Sequence, residues 1–187
     1  MKKRLTLIQM DVHVNDVEYN YNRVQELLSQ SLSESPDIIV LPETWNTGFY
    51  PSTDLINIAD ANGDRTKALL RAFSKEHNIN IVGGSVAVAK ENLVFNTSYV
   101  YNRSGELVGE YSKMHGFSPA KEDKYFASGT HTTHFELDGI PCSTVICYDI
   151  RFPELVRMAA LPGTELLFVP AQWPTMRLRH WQVLNEV

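Results

Sequence analysis

Asp37-Ile38-Ile39-Val40-Leu41-Pro42-Glu43 holds an unbroken apolar run closed by a proline and an acid. Such a run fits a strand covered on both faces, as in a parallel sheet, better than a half-exposed one. Upstream, Arg4 to Met10 reads as a first strand, and Asn15 or Asp16 can cap a helix reaching about Ser31. Val17, Tyr21, Val24, Leu27 and Leu28 give that helix one apolar stripe. Ser33 to Pro36 breaks it. Downstream, residues 44–65 are rich in Asn, Asp, Gly, Pro and Thr and read as a long loop. Thr66 to His77 reads as a second helix with Leu69, Leu70 and Phe73 inward. Ile79 to Val88 is a strand interrupted by Gly83-Gly84, the signature of a bulge.

Two hairpins follow. Asn96–Tyr101 and Glu106–Ser112 flank Asn102-Arg103-Ser104-Gly105. After an irregular stretch from about Met114 to His131, His134–Leu137 and Ile140–Ile146 flank Asp138-Gly139. Pro153 suits the first turn of a helix that ends before Pro162-Gly163. Leu166–Val169 is another buried strand stopped by Pro170, and a last helix begins near Met176. Strands and helices alternate, so the class is α/β with some antiparallel pairing. No linker, repeat or low-complexity segment divides the chain, which reads as a single domain over residues 1–187.

At 187 residues and 43% hydrophobic, the chain can bury a core without disulfide or metal staples. Its net charge of −5, with no block of like charges, argues against nonspecific binding to nucleic acid or to an anionic membrane. The apolar runs fall far short of the roughly 20 residues that a membrane span needs. The N-terminal apolar segment is too short for a signal peptide. With only Cys142 and Cys147, reduced thiols and a cytoplasmic location are the expectation.

Three polar residues follow three expected strands: Glu43, Lys113 and Cys147. Ligands of α/β sheets bind outside the carboxyl ends of strands. A carboxylate, an ammonium and a thiol gathered there make a nucleophilic site. The thiol must lose its proton to attack, a glutamate can take it, and a lysine can stabilise the developing oxyanion. The backbone N–H of Tyr148 offers a second oxyanion donor. Taken singly, a cysteine on an apolar strand is more often a small core residue, and Cys142 is read that way. Two rival sites use histidines. Cys147 and His115 would make a Cys–His dyad, and His131, His134 and Cys147 a zinc site, although the usual metal-ligand spacings are missing.

Four motifs bear on the choice. They are Leu41-Pro42-Glu43-Thr44-Trp45-Asn46-Thr47-Gly48-Phe49, Tyr111-Ser112-Lys113-Met114-His115, Val145-Ile146-Cys147-Tyr148-Asp149-Ile150-Arg151-Phe152-Pro153-Glu154-Leu155, and Ala171-Gln172-Trp173-Pro174 followed by Arg177–Trp181. In this order they resemble the nitrilase, or carbon–nitrogen hydrolase, superfamily, from the first strand to the last residue. The resemblance implies an αββα sandwich with a Glu–Lys–Cys triad and no metal or organic cofactor. It makes Glu43 the general base, Lys113 the oxyanion stabiliser and Cys147 the nucleophile. Glu122 matches a second glutamate that orients the lysine or the substrate. Asp149 and Arg151 match structural positions, with Arg151 pairing with a nearby carboxylate. Phe49 and Trp173 are expected to wall the pocket, and His115 becomes a neighbour of Lys113.

The implied reaction turns a small carboxylic amide into acid and ammonia through a cysteine thioester. The segment from Met114 to Gly129 and Ala-Gln-Trp-Pro look most like the omega-amidase branch, which acts on 2-oxoglutaramate-like monoamides. Nitrile or N-carbamoyl substrates are alternative specificities. Relatives continue past the Arg-x-x-His-Trp helix, so the expectation is a domain incomplete at its C-terminus. An impaired relic of such a hydrolase is therefore the alternative to an active enzyme. Gly116 stands where relatives tend to carry an apolar residue. A homodimer through residues 153–161 and the C-terminal helix is the expected assembly.

Overall fold

A computed structural model describes residues 2–49 and 54–186. Positions 50–53 of the expected 44–65 loop, and the ends Met1 and Val187, lie outside them. The strands are β1 (Leu5–Leu7), β2 (Ile38–Val40), β3 (Asp60–Ala61), β4 (Asn80–Val82), β5 (Val86–Lys90), β6 (Leu93–Tyr101), β7 (Leu107–Ser112), β8 (His134–Leu137), β9 (Ile140–Thr144) and β10 (Leu166–Phe168). The helices are α1 (Val17–Ser31), α2 (Leu55–Ile58), α3 (Asp64–His77), α4 (Glu122–Tyr125), α5 (Pro153–Ala160) and α6 (Leu178–Asn185).

β1, β2 and β4 run parallel, while β4 and β5 pair successively with one edge of antiparallel β6. β7 lies on the other edge of β6, and β3 joins β5. A second sheet has the order β10-β9-β8. The alternation within the opening apolar run explains the layers. Ile39 and Leu41 face a cluster with Tyr21, Val24 and Leu28 of α1 and Leu70 of α3. Ile38 and Val40 face Phe135, Leu137, Cys142 and Phe168 of the second sheet. On the far side of that sheet, Leu155 and Ala159 of α5 pack with Val145. Helix, sheet, sheet and helix thus make an αββα sandwich, in which a central strand must be apolar on both faces.

Asp16 caps α1, its side chain accepting from the Tyr19 N–H. Gly83-Gly84 separates β4 from β5: three residues lie between Val82 and Val86, against two between their partners Val100 and Thr97, which is a bulge. The 44–65 segment is less irregular than expected, since it holds α2, β3 and the start of α3. Asp60 explains the early start, because its carboxylate accepts from the N–H groups of Arg65 (3.1 Å) and Thr66 (2.8 Å). The first strand is shorter than expected, at three residues, although Ile8 N–H still reaches the Val40 carbonyl. Among the described residues no helix is long and apolar enough to cross a membrane.

Candidate active site

Two strand reversals, from β4 to β6 to β7, leave β7 pointing the same way as β2. Residues just beyond their carboxyl ends therefore meet at one edge. Glu43 follows β2 and Lys113 follows β7. Lys113 Nζ lies 2.8 Å from Glu43 Oε1. The chain after Glu43 is latched to the bulged strand: Trp45 Nε1 donates to the Gly83 carbonyl (2.9 Å), and Asn46 exchanges two side-chain hydrogen bonds with the backbone of Ala87. Gln172 clamps Glu43 from the second sheet. Its backbone N–H donates to Oε2 (2.9 Å) and its side-chain amide to the Glu43 carbonyl (2.6 Å).

Cys147 opens the turn after β9 with φ +47, a left-handed backbone unusual for a side chain of this kind. Strain of this sort is held only where surrounding bonds over-determine it. Here the Cys147 N–H donates to the Pro170 carbonyl (2.9 Å). Asp149, wholly buried, accepts from the Ile146 N–H (3.0 Å), the Tyr111 hydroxyl (2.7 Å) and the His115 N–H (2.9 Å). The Glu43 side chain lies within electrostatic reach of the Cys147 thiol.

Glu122 is 1% exposed. Both its oxygens accept from Lys113 Nζ, at 2.9 and 2.7 Å, and Oε2 also takes the Phe117 N–H (2.7 Å). It is therefore a buried partner of the lysine and not a solvated loop charge. Burial opposes the charge on Lys113, but Glu43, Glu122 and Cys147 outweigh it and hold the ammonium above its ordinary range. Burial and then the Glu43 charge push the Cys147 thiol well above its ordinary value, with Lys113 pulling the other way. The thiol is thus protonated at neutral pH, with a carboxylate beside it.

Cys147 opens into a narrow pocket lined by Phe49, Phe117, Tyr148, Arg151, Gln172, Trp173 and further residues that include Arg177. Phe49 and Trp173 both line it, and Tyr148 sits beside Cys147. Arg151 departs from expectation. It pairs with no carboxylate among the described residues, and its guanidinium carbon lies 5.7 Å from the Tyr148 ring centre. The reason is that Asp149, the nearby acid, is already saturated by four polar partners. His115 is one of those partners, with Nδ1 3.0 Å from Asp149 Oδ1 and its ring stacked on Phe152. Its ring is thereby engaged away from a Cys147 dyad. His131, His134 and Cys147 form no metal-binding group among the described residues. Cys142 is a core residue, its thiol pushed up to about 11 by burial. Sequence reasoning passed over Asn96 and Phe117, and quoted Gln172 and Arg177 without a role. The polar Asn-Thr-Ser run inside an expected strand is the one local signal that could have marked Asn96.

A sequence model of the carbon-nitrogen hydrolase family matches residues 4–187. A 2-oxoglutaramate amidase of Bacillus subtilis is 38% identical over 184 residues, covering 98% of this chain and 70% of that protein. The 2-oxoglutaramate amidase of Paenarthrobacter nicotinovorans is 32% identical, covering 91% of this chain and 60% of its own length. The crystal structure of XC1258 from Xanthomonas campestris, a CN-hydrolase superfamily protein with an arsenic adduct in its active site, superposes with a TM-score of 0.84. It is 29% identical, and the match covers 97% of this chain and 69% of that one. The chain belongs to the carbon-nitrogen hydrolase family, and as such it is an enzyme of amide-type carbon–nitrogen bonds.

Proposed function

We propose that this protein hydrolyses the terminal amide of a small carboxylate to acid and ammonia, with 2-oxoglutaramate-like monoamides as substrates. The observation that carries the reading is the Glu43–Lys113–Cys147 cluster opening on a pocket that also holds Arg151 and Arg177. Neither guanidinium faces an acidic partner among the described residues; each lies near an aromatic ring, Tyr148 and Phe117 respectively. Two such cations in an otherwise largely apolar pocket suit a substrate whose far end is a carboxylate. The names of the Bacillus and Paenarthrobacter relatives point the same way.

Glu43 takes the thiol proton as the Cys147 sulfur attacks the amide carbon. The carbonyl electrons move onto oxygen, where the Lys113 ammonium and the Tyr148 N–H stabilise the negative charge. As the intermediate collapses, Glu43 returns the proton to the amide nitrogen and ammonia leaves, so a thioester remains. Glu43 then takes a proton from water, hydroxide adds to the thioester, and the thiolate leaves and is reprotonated. Because the resting thiol is neutral, this base-assisted route supplies the nucleophile that a free thiolate would otherwise be. Glu122 holds Lys113 in line. Phe49 and Trp173 shape the pocket.

The test is ammonia release from 2-oxoglutaramate and succinamate, with Cys147→Ala in parallel. Release from both amides by the wild type, abolished in the variant, is the expected result. Equal release by Cys147→Ala sinks the thioester route. Turnover confined to a nitrile or an N-carbamoyl acid moves the specificity elsewhere in the superfamily. A homodimer through residues 153–161 and the final helix belongs to the same proposal. Met158 and Leu161 on the first surface, and Leu178 and Val183 on the second, expose apolar side chains that pairing would cover. Sedimentation of the purified chain measures it.

A further inference from the structure

Asn96 touches all three charged members of the cluster. It sits on β6 and is 1% exposed. Its backbone carbonyl accepts the Lys113 N–H (2.9 Å). Its side-chain nitrogen lies 3.1 Å from Glu43 Oε1 and 3.1 Å from Glu122 Oε1. Those same two oxygens also accept from Lys113 Nζ, at 2.8 and 2.9 Å. Two carboxylate oxygens are thus bridged twice, once by the ammonium and once by an amide. An amide nitrogen carries two hydrogens, one for each carboxylate. The cost of this orientation is visible, because Asn96 Oδ1 is buried with no hydrogen-bond partner among the described residues. A buried orphan acceptor is unfavourable, so something must favour aiming the N–H end at the glutamates.

Electrostatics supplies the reason. Two carboxylates beside one ammonium, away from water, leave a net negative charge, and like charges so placed drive one partner to take up a proton. Glu43 arrives from the loop after β2, Glu122 from α4, Lys113 from the end of β7 and Cys147 from the turn after β9. Among the described residues these titratable groups form the cluster, with Lys113 its single cation, and the buried Asp149 carboxyl lies within electrostatic reach of Lys113. We propose that Asn96 is a positioning residue that keeps Glu43 and Glu122 both ionised and a fixed distance apart, so that Glu43 is free to accept the Cys147 proton. The proposal rests on Glu43 acting as base toward Cys147.

The experiment follows the chemistry of the thiol and needs no amide substrate. The rate of Cys147 alkylation by iodoacetamide is measured against pH for wild type, Asn96→Ala and Asn96→Asp, with peptide mass mapping to separate Cys147 from Cys142. The expected result is an acid limb displaced upward by about one pH unit in both variants, hence about tenfold slower alkylation on that limb. A uniform fall in rate at every pH, with the limb unmoved, overturns the proposal. Infrared spectra of wild type with and without ¹³C-labelled glutamate give a second measurement that does not depend on a variant folding. No label-sensitive band of a buried protonated carboxyl is expected at neutral pH, and its appearance also overturns the proposal. If alkylation behaves as expected while no amide is hydrolysed, the proposed function fails and the role of Asn96 stands.

Discussion

Asp149 lines no part of the pocket, yet it ties together the chain around Lys113 and the chain before Cys147. Tyr111 and His115 stand two residues either side of Lys113, Ile146 immediately precedes Cys147, and all three donate to the one carboxylate. Burial raises the Asp149 carboxyl, and the Tyr111 hydroxyl opposes that rise by favouring the ionised form. Tyr111→Phe therefore removes a bond to a charged acceptor, at a cost of about 1.5–3 kcal/mol. Because the bond favours the carboxylate, the loss is largest where Asp149 is ionised and shrinks as acid protonates it. Urea unfolding at neutral and acid pH checks both the size and the sign. This carboxylate reads as structural from the resemblance to the family. Glu43, Lys113 and Cys147 each follow an expected strand, but it is the resemblance of the four motifs in order that singles them out together. Asn96 was not legible, because a polar residue in mid-strand looks the same whether it faces water or a buried carboxylate. Arg151 is expected from the resemblance to pair with a nearby carboxylate, and it does not among the described residues, because closer donors already fill the oxygens of Asp149.

At the scale of elements, the bulge between β4 and β5 shapes the site. Gly84 has φ +62, and a Cβ built there would lie 2.0 Å from the Pro42 carbonyl oxygen. The close approach brings the chain before Glu43 onto the bulged strand, where the Ser85 N–H donates to that same carbonyl (3.0 Å). Gly84→Ala adds left-handed strain to a backbone clash, and it should cost about 2–4 kcal/mol. The displacement falls on the Pro42–Glu43 peptide, so alkylation of Cys147 should slow even in protein that remains folded. Thermal unfolding and the alkylation rate, measured on one preparation, separate the two effects. The glycine pair marked the bulge in the sequence, as Asp138-Gly139 marked its hairpin: those residues adopt φ +52 and +80. Short-range backbone demands of this kind are written locally. What the bulge serves was not, because Pro42 approaches Gly84 from over forty positions away.

Which face of each strand meets the other sheet is a property of the whole molecule. Ile38 and Ile39 read alike in sequence, yet one packs on the second sheet and the other on α1 and α3. The polar rim of the sandwich is similarly non-local. Arg103, in the turn between β6 and β7, donates to both oxygens of Asp138 (2.7 and 2.8 Å), to Asp37 (2.8 Å) and to the Asn78 carbonyl (2.6 Å). Asp138 lies in the turn between β8 and β9, and Lys3 also reaches it at 2.7 Å. One guanidinium thus bridges the two sheets at the end where their turns meet. Arg103 chiefly, then Lys3, holds the Asp138 carboxyl well below the usual carboxylate range. A depressed carboxyl stabilises the fold at pH values above its unfolded value of about 3.9, and that stability is lost as pH falls toward the folded value. Arg103 stays charged throughout, so the carboxylate sets the window. Asp138→Asn should cost about 1–2 kcal/mol near neutral pH, given the two-pronged geometry at a partly exposed site. The gap between wild type and variant should begin to narrow below about pH 4 and close only as pH approaches the much lower folded value. Guanidinium unfolding across pH 2.5–7 tests this, and a gap that stays constant across the range would show that the bridge between the sheets does not depend on the Asp138 charge.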